Sequence, residues 1–478
     1  MEHTSNRRTF VTETLSGKIR GVLADGIEAY LGVPYGAAVG DLGPFAEVSP
    51  VPDWAGILDC TDTPAVFPQA HTRLSAVLGP AIDEHPQSDQ AFSVNIFAPH
   101  GAKGLPVLVF VHGGAFCTGG GTRWYDGSRL ARSGNIVVVT VNYRLGIWGN
   151  IAAPGAPTNN AVRDVLAALH WIAANIGTFG GDAGNVTLSG QSAGAALTRL
   201  LTLCSDAEGL FKRAIILSCP GHIGATHAEM ADVTNRVMEL ADASDVVALA
   251  GKTPDRLLDA VMTVTRDRTV QGSVMPLFRP YTDGVLLQDW MDDPQTSAGR
   301  AHCREIVIGL TREEFAPFFW EQADAINSAP ETVLGWYQHV HGERAATAYR
   351  QAALHRPRAT PYTQWIDGMQ DQTFGQPTLA LAGAYAERRR AFVYRFDLQS
   401  RQPHLYAAHC IDLPFFFDNL SGWFDAPMLH GFEPGALQPL ASRFSTCMAN
   451  FVRTGDPGID GWPPFTEASP YLMPFDND

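Results

Sequence analysis

No stretch of this sequence is apolar for long enough to cross a bilayer, and its start, MEHTSNRRTFVTETLSG, lacks the apolar core of a secretory leader. The expectation is a cytoplasmic protein with no membrane partner. Positive charge is also scarce. Lys and Arg number 34 against 49 Asp and Glu, a net charge of -15. That argues against nucleic acid as a partner, because a phosphate backbone needs clustered cations. The one basic run, ERRR at 387–390, follows a helical stretch and reads as a solvated helix end. Cysteine is sparse and scattered: Cys60, Cys117, Cys204, Cys219, Cys303, Cys410 and Cys447 are odd in number and never spaced C-x-x-C. Free, mostly buried thiols are expected, rather than a disulfide framework or a metal site. No repeat, low-complexity block or Ser/Gly linker interrupts the chain, so residues 1–478 are read as a single domain.

What is present is a succession of short β-branched or aromatic runs, each followed by a turn and a helical stretch. Strands are expected at 106–111, 136–141, 186–188, 213–217, 305–308 and 392–396. These runs are apolar on both faces, the pattern of strands buried between two helical layers. Between them lie helices such as NAVRDVLAALHWIAANI, residues 160–176, with Asn160 as a candidate cap. The alternation predicts an α/β fold with a large, mostly parallel central sheet flanked by helices.

One such strand ends in NVTLSGQSAGAALTRLL, residues 185–201, where an apolar run climbs to a serine boxed in by glycines. A nucleophilic serine must stand clear of the sheet on a sharp strand-to-helix turn, where only tiny neighbours fit. Gly190, Ala193 and Gly194 meet that need around Ser192. The helix that follows points its N–H groups and positive dipole end at the reacting centre. The rival reading is an ordinary Gly-Ser turn. After the strand at 106–111 comes HGGAF, residues 112–116, a Gly-rich loop able to offer N–H donors to a developing oxyanion. A phosphate loop is excluded, since GGAFCTGGGT contains no G-x-x-x-x-G-K-[ST] pattern and no lysine. His112 reads as a structural brace of that loop.

Taken together, GVLADGIEAYLGVPYG, VNYRLGIWGN, NIGTFGGDAGNVTLSGQSAGA and TGDPGIDGWPPF, in this order, resemble the motifs of the type-B carboxylesterases. These are the cholinesterase-like and para-nitrobenzyl esterase-like branch of the α/β-hydrolase superfamily, and the resemblance runs nearly end to end. It implies the α/β-hydrolase fold and a serine hydrolase cleaving carboxylic esters through an acyl-serine, with no metal or organic cofactor. Its substrate would be a small-molecule ester, with an apolar portion suggested by the aromatic residues near the motifs. Carried onto matching positions, the family's nucleophile falls on Ser192, its acid on Glu314 in GLTREEF, and its base on His409 in HCIDLPFFF. The oxyanion donors fall on the N–H groups of Gly114, Ala115 and Ala193.

Competing residues stay in view. Glu313 is an alternative acid, His404 and His430 lie near the base, and Asp412 either orients His409 or is a structural carboxylate. Carbamate, anilide or natural-product ester hydrolysis would use the same residues, and the fold also includes non-catalytic adhesion proteins. Three departures from the family stand out. Gln191 replaces the glutamate usual before the nucleophile, which predicts a preference for neutral or anionic esters over cationic ones. Phe67 and Ala91 stand where relatives often have a disulfide. Phe315 replaces a small residue after the acid and is expected to narrow the pocket. Aromatic residues at Phe116, Trp124, Tyr125, Phe318, Phe319, Trp320, Phe415, Phe416, Phe417 and Trp423 are candidates for the pocket or the core, and residues 272–284 for a pocket-flanking loop.

Overall fold

The runs that are apolar on both faces form the middle of one twelve-stranded sheet. The computed structural model describes residues 7–222, 224–268, 275–354, 356 and 358–477. Its strands are β1 Arg8–Glu13, β2 Lys18–Ala24, β3 Ile27–Pro34, β4 Ile57–Asp59, β5 Ser93–Pro99, β6 Leu105–Val111, β7 Val137–Val141, β8 Gly181–Gln191, β9 Arg213–Leu217, β10 Glu305–Thr311, β11 Arg390–Phe396 and β12 Met473–Phe475. They lie in the order β1-β2-β3-β5-β7-β6-β8-β9-β10-β11-β12, with β4 paired to β2. From β7 to β12 every pairing is parallel, whereas β1, β2, β3, β5 and β7 pair antiparallel.

All six expected strands are therefore present as β6 to β11. The antiparallel wing was not expected, and for its outer strand burial gives the reason. Edge strand β1 is largely solvated, so it lacks the doubly apolar pattern that marks a central strand.

Helices cover both faces: α1 Ser75–Leu78, α2 Asn160–Asn175, α3 Ala193–Leu201, α4 His227–Leu240, α5 Pro254–Arg268, α6 Pro361–Gln370, α7 Gln376–Ala386 and α8 Gln438–Thr454, among shorter pieces. On β6 the side chains of Val107, Val109 and Val111 join the core on one face, while Leu108 and Phe110 join the core on the other. Each such fully buried side chain is worth about 1.5–3 kcal/mol. The expectation for Asn160 needs correction. The residue before α2 is Asn159, in the left-handed conformation, and the helix has no side-chain cap. Asn160 is itself helical and buried, and its amide donates to Phe45 O at 3.2 Å and Trp148 O at 3.3 Å.

All seven cysteines are free, and six of them are buried. Phe67 fills its position by edge-on packing against Phe92, with ring centroids 4.9 Å apart, and Ala91 is buried beside it in sequence. In the basic run, Arg389 is half-buried and ties down the backbone, donating to Cys303 O at 2.7 Å and also to Ala298 and Ala301. Only part of that run is a solvated helix end. No helix among the described residues is long and apolar enough to cross a membrane.

Candidate active site

Strand β8 ends at Gln191 and helix α3 begins at Ala193, so Ser192 alone makes the turn, at φ 57° and ψ −119°. An L-residue held in so sparsely populated a region costs about 1–3 kcal/mol and persists only when its surroundings impose it. Here Ser192 N donates to Leu217 O on β9 at 2.9 Å, and Ala196 N to Ser192 O at 3.0 Å. The flanking glycines allow backbone to pack on backbone. A Cβ on Gly190 would sit 2.2 Å from Gly194 O, and one on Gly194 would sit 2.0 Å from Val111 O. The result is a half-buried serine between two buried neighbours.

The loop after β6 wraps beside this turn. Gly114, Ala115 and Phe116 all have positive φ, at 112°, 55° and 56°. Its internal hydrogen bonds run from Cys117 N and Thr118 N to Gly114 O, each 3.0 Å, and the N–H groups of Gly114 and Ala115 donate to no described residue. Ala193 opens α3, so its N–H has no acceptor within the helix. His112 braces the loop as expected. It is buried, its ring stacks on Tyr143 at 4.4 Å, and its carbonyl accepts from Tyr143 Oη at 2.9 Å. Burial pushes its pKa down to about 4.

The two glutamates after β10 are separated by their partners. Glu314 Oε2 accepts from His409 Nδ1, and Glu314 Oε1 accepts from Thr311 N at 2.7 Å. Glu314 N donates to Gln370 Oε1 on α6 at 3.1 Å. Glu313 instead accepts from Arg356 Nη2 at 2.8 Å, Ala407 N at 2.9 Å and Gln399 Nε2 at 3.1 Å. Asp412 is fully buried and accepts from Tyr394 Oη at 2.7 Å. Burial pushes its pKa up to about 6. It makes no hydrogen bond to the histidine ring, whose Nδ1 is taken by Glu314, and His404 and His430 are exposed. His409 is 3 % exposed. Burial alone would oppose its charged form, but Cys410 and the Glu314 carboxylate outweigh that and raise its pKa.

In the neutral ring, with Nδ1–H given to Glu314, Nε2 is an acceptor. Its partner here is the amide Nε2 of Gln191 at 3.1 Å. Ser192 Oγ makes no hydrogen bond to the ring in this arrangement. Serine and histidine nonetheless line the same cavity, of about 290 Å³, together with Gln191, Gly114, Ala115 and Ala193. Such a constellation can deprotonate a hydroxyl and hold an anion against main-chain N–H groups. Among the described residues no group of three or more His, Cys, Asp or Glu is placed to hold a metal ion.

Residues 8–478 match the model of the carboxylesterase family. The chain belongs to that family. It is 32% identical over 477 residues to phenmedipham hydrolase of Pseudarthrobacter oxydans, covering 97% of this chain and 94% of the relative. To para-nitrobenzyl esterase of Bacillus subtilis it is 30% identical over 480 residues, covering 98% and 95%. The crystal structure of a Geobacillus stearothermophilus carboxylesterase superposes with a TM-score of 0.84 at 28% identity, covering 98% and 96% of the two chains. The protein is a carboxylesterase with the α/β-hydrolase fold.

Aromatic residues of the carboxylesterase divide between cavity and core. Phe116, Trp124, Tyr125 and Phe318 line the cavity. Phe319 packs in a separate apolar cluster with Phe315, and Trp320, Phe415, Phe416, Phe417 and Trp423 belong to the core. Phe315 does not narrow the cavity directly. It packs edge-on behind Phe374, 5.7 Å between centroids, and Phe374 is the wall residue. Residues 272–274 lie outside the described residues, while Met275, Pro276, Leu277 and Phe278 line the cavity as that loop was expected to. Sequence reasoning missed Phe374, on the π-helical turn Asp371–Gly375 between α6 and α7, and the stretch of α5 with Leu258, Val261 and Met262. The 3.6-residue spacing of the α5 residues was visible, but an amphipathic helix reads the same whether its face meets core or substrate.

Proposed function

We propose that this carboxylesterase cleaves small-molecule carboxylic esters through an acyl-serine intermediate on Ser192. His409 Nε2 takes the hydroxyl proton as Ser192 Oγ attacks the ester carbonyl, and then passes it to the departing alkoxide. Glu314 stays ionised, fixing the ring with Nδ1–H toward itself and stabilising the imidazolium. The tetrahedral oxyanion is received by the N–H groups of Gly114, Ala115 and Ala193, each worth about 3–4 kcal/mol. Water then attacks the acyl-serine with His409 again as base. For the first transfer the amide of Gln191 gives up its place at Nε2 to the serine hydroxyl.

The contact that carries this reading is Glu314 on His409 Nδ1, because it turns Nε2 toward the elbow. The test is hydrolysis of para-nitrophenyl butyrate by the wild type and Ser192→Ala, with folding checked by circular dichroism. A loss of about a thousandfold or more is expected. Equal rates would remove the serine from the mechanism. A carbamate and an anilide assayed alongside decide which acyl bond is preferred, since the same steps serve all three.

A further inference from the structure

The cavity wall carries charge of one sign only. The molecule as a whole is acidic, with 49 Asp and Glu against 34 Lys and Arg. Yet no carboxylate stands among the described residues that line the cavity, whereas Arg73 and Arg268 do. Arg268 closes α5 and is paired with Asp232. Arg73 differs. It lies just ahead of α1, is exposed, and makes no ion pair with any described residue. Its charge still reaches inward: burial pushes the Cys117 thiol up to about 11, and Arg73 pulls against that. Cys117 N donates to Gly114 O at 3.0 Å, and Arg73, Cys117, Gly114 and Ala115 all line the same cavity. Next to the serine, Gln191 is neutral. Much of the remaining wall is apolar, with Leu74, Leu258, Val261 and Phe278 on it.

A guanidinium without an ion-pair partner beside an apolar wall is suited to a carboxylate, which it holds by charge-assisted, bidentate hydrogen bonds. A cationic group would find no counter-charge there. We infer that the preferred substrates are esters bearing, besides the ester group, an ionised carboxylate that is received by Arg73 on the cavity wall while their apolar body lies along Leu74, Leu258, Val261 and Phe278. This deepens, and rests on, the acyl-serine reading.

Matched esters test it. On the acyl side these are para-nitrophenyl hexanoate, the para-nitrophenyl monoester of adipic acid, and the para-nitrophenyl ester of ω-trimethylammonio-hexanoic acid. On the alcohol side they are phenyl acetate and meta-acetoxybenzoate. The wild type is expected to favour the carboxylate ester over its cationic counterpart by about tenfold or more in kcat/KM, mostly through KM. In Arg73→Gln the ratio of carboxylate ester to neutral ester should fall about tenfold in one of the two pairs, and Arg73→Glu should invert it. The pair that responds identifies which half of the ester carries the carboxylate. If both ratios in Arg73→Gln stay within about twofold of the wild type, Arg73 does not select substrate and the inference is wrong. The underlying mechanism fails separately, and only if Ser192→Ala hydrolyses the neutral esters as the wild type does.

Discussion

At residue 191 a neutral amide sits 3.1 Å from the imidazole nitrogen of His409 that the proposed mechanism uses as its base. An amide N–H donates to that lone pair and so favours the neutral ring, working against the Glu314 carboxylate, which favours the charged one. Replacing the amide by an ionised carboxylate removes the donor and adds an acceptor suited only to the protonated ring. Gln191→Glu should therefore raise the apparent pKa of the acidic limb of kcat/KM by about one unit or more. Turnover needs the neutral base, so activity is lost as pH falls through that pKa, and the variant should lose it at the higher pH. On para-nitrophenyl butyrate the variant should run about tenfold slower than the wild type on the acidic limb, and the two should converge on the alkaline plateau. The same added charge should shift preference toward cationic esters. Limbs that coincide within about 0.3 unit would show that the amide has no hold on the base. This contact was not legible in the chain, because its partners stand 218 residues apart. The motifs did single out Ser192, Glu314 and His409, and the structure sets the latter two side by side.

At the scale of elements, the strand-turn-helix that carries Ser192 was readable because its geometry demands a composition. Backbone packed against backbone tolerates only hydrogen at Gly190 and Gly194, and glycine at fixed offsets around a serine is a pattern sequence can display. The central strands were readable for a similar reason, since burial on both faces leaves no room for polar alternation. The antiparallel wing and the α5 wall of the cavity were not, because β1 is solvated, Ser93 and Asn95 break the apolar run of buried β5, and an amphipathic helix carries no mark of what it faces. The turn also makes a sharp demand. In Gly194→Ala the new methyl would be driven into the Val111 carbonyl, 2.0 Å away on the neighbouring strand. Neither main chain can yield without moving Ser192 or the loop that starts at His112. A loss of about a hundredfold or more in kcat is expected, even if the variant folds. Soluble Gly194→Ala with wild-type turnover would mean that the elbow does not need this close approach.

Across the whole molecule, a buried charge pair that sequence patterns did not single out joins segments far apart in the chain. Arg144 follows β7 and Asp164 lies on α2; both are fully buried. Arg144 donates to Asp164 through Nε at 2.8 Å and Nη2 at 2.6 Å, and through its backbone N at 2.9 Å. Its remaining Nη1 reaches the carbonyls of Pro44, at 3.0 Å, and Ala46, at 2.5 Å. One side chain thus ties the N-terminal segment to the loop after β7, whose Gly146 N donates to Phe116 O at 2.6 Å beside the Gly114–Ala115 turn. Removing one partner leaves an uncompensated charge in the interior, which costs about 3–5 kcal/mol. Replacing both with apolar residues of similar volume removes the charge and its desolvation cost together. Asp164→Asn should accordingly lower the denaturation midpoint in urea much more than Arg144→Met combined with Asp164→Leu does. The double variant should still lose esterase activity, because the carbonyls of Pro44 and Ala46 lose their donor and the loop beneath Phe116 loses its anchor. A double variant as unstable as the single one would indicate that the pair is needed for its hydrogen bonds rather than for charge balance.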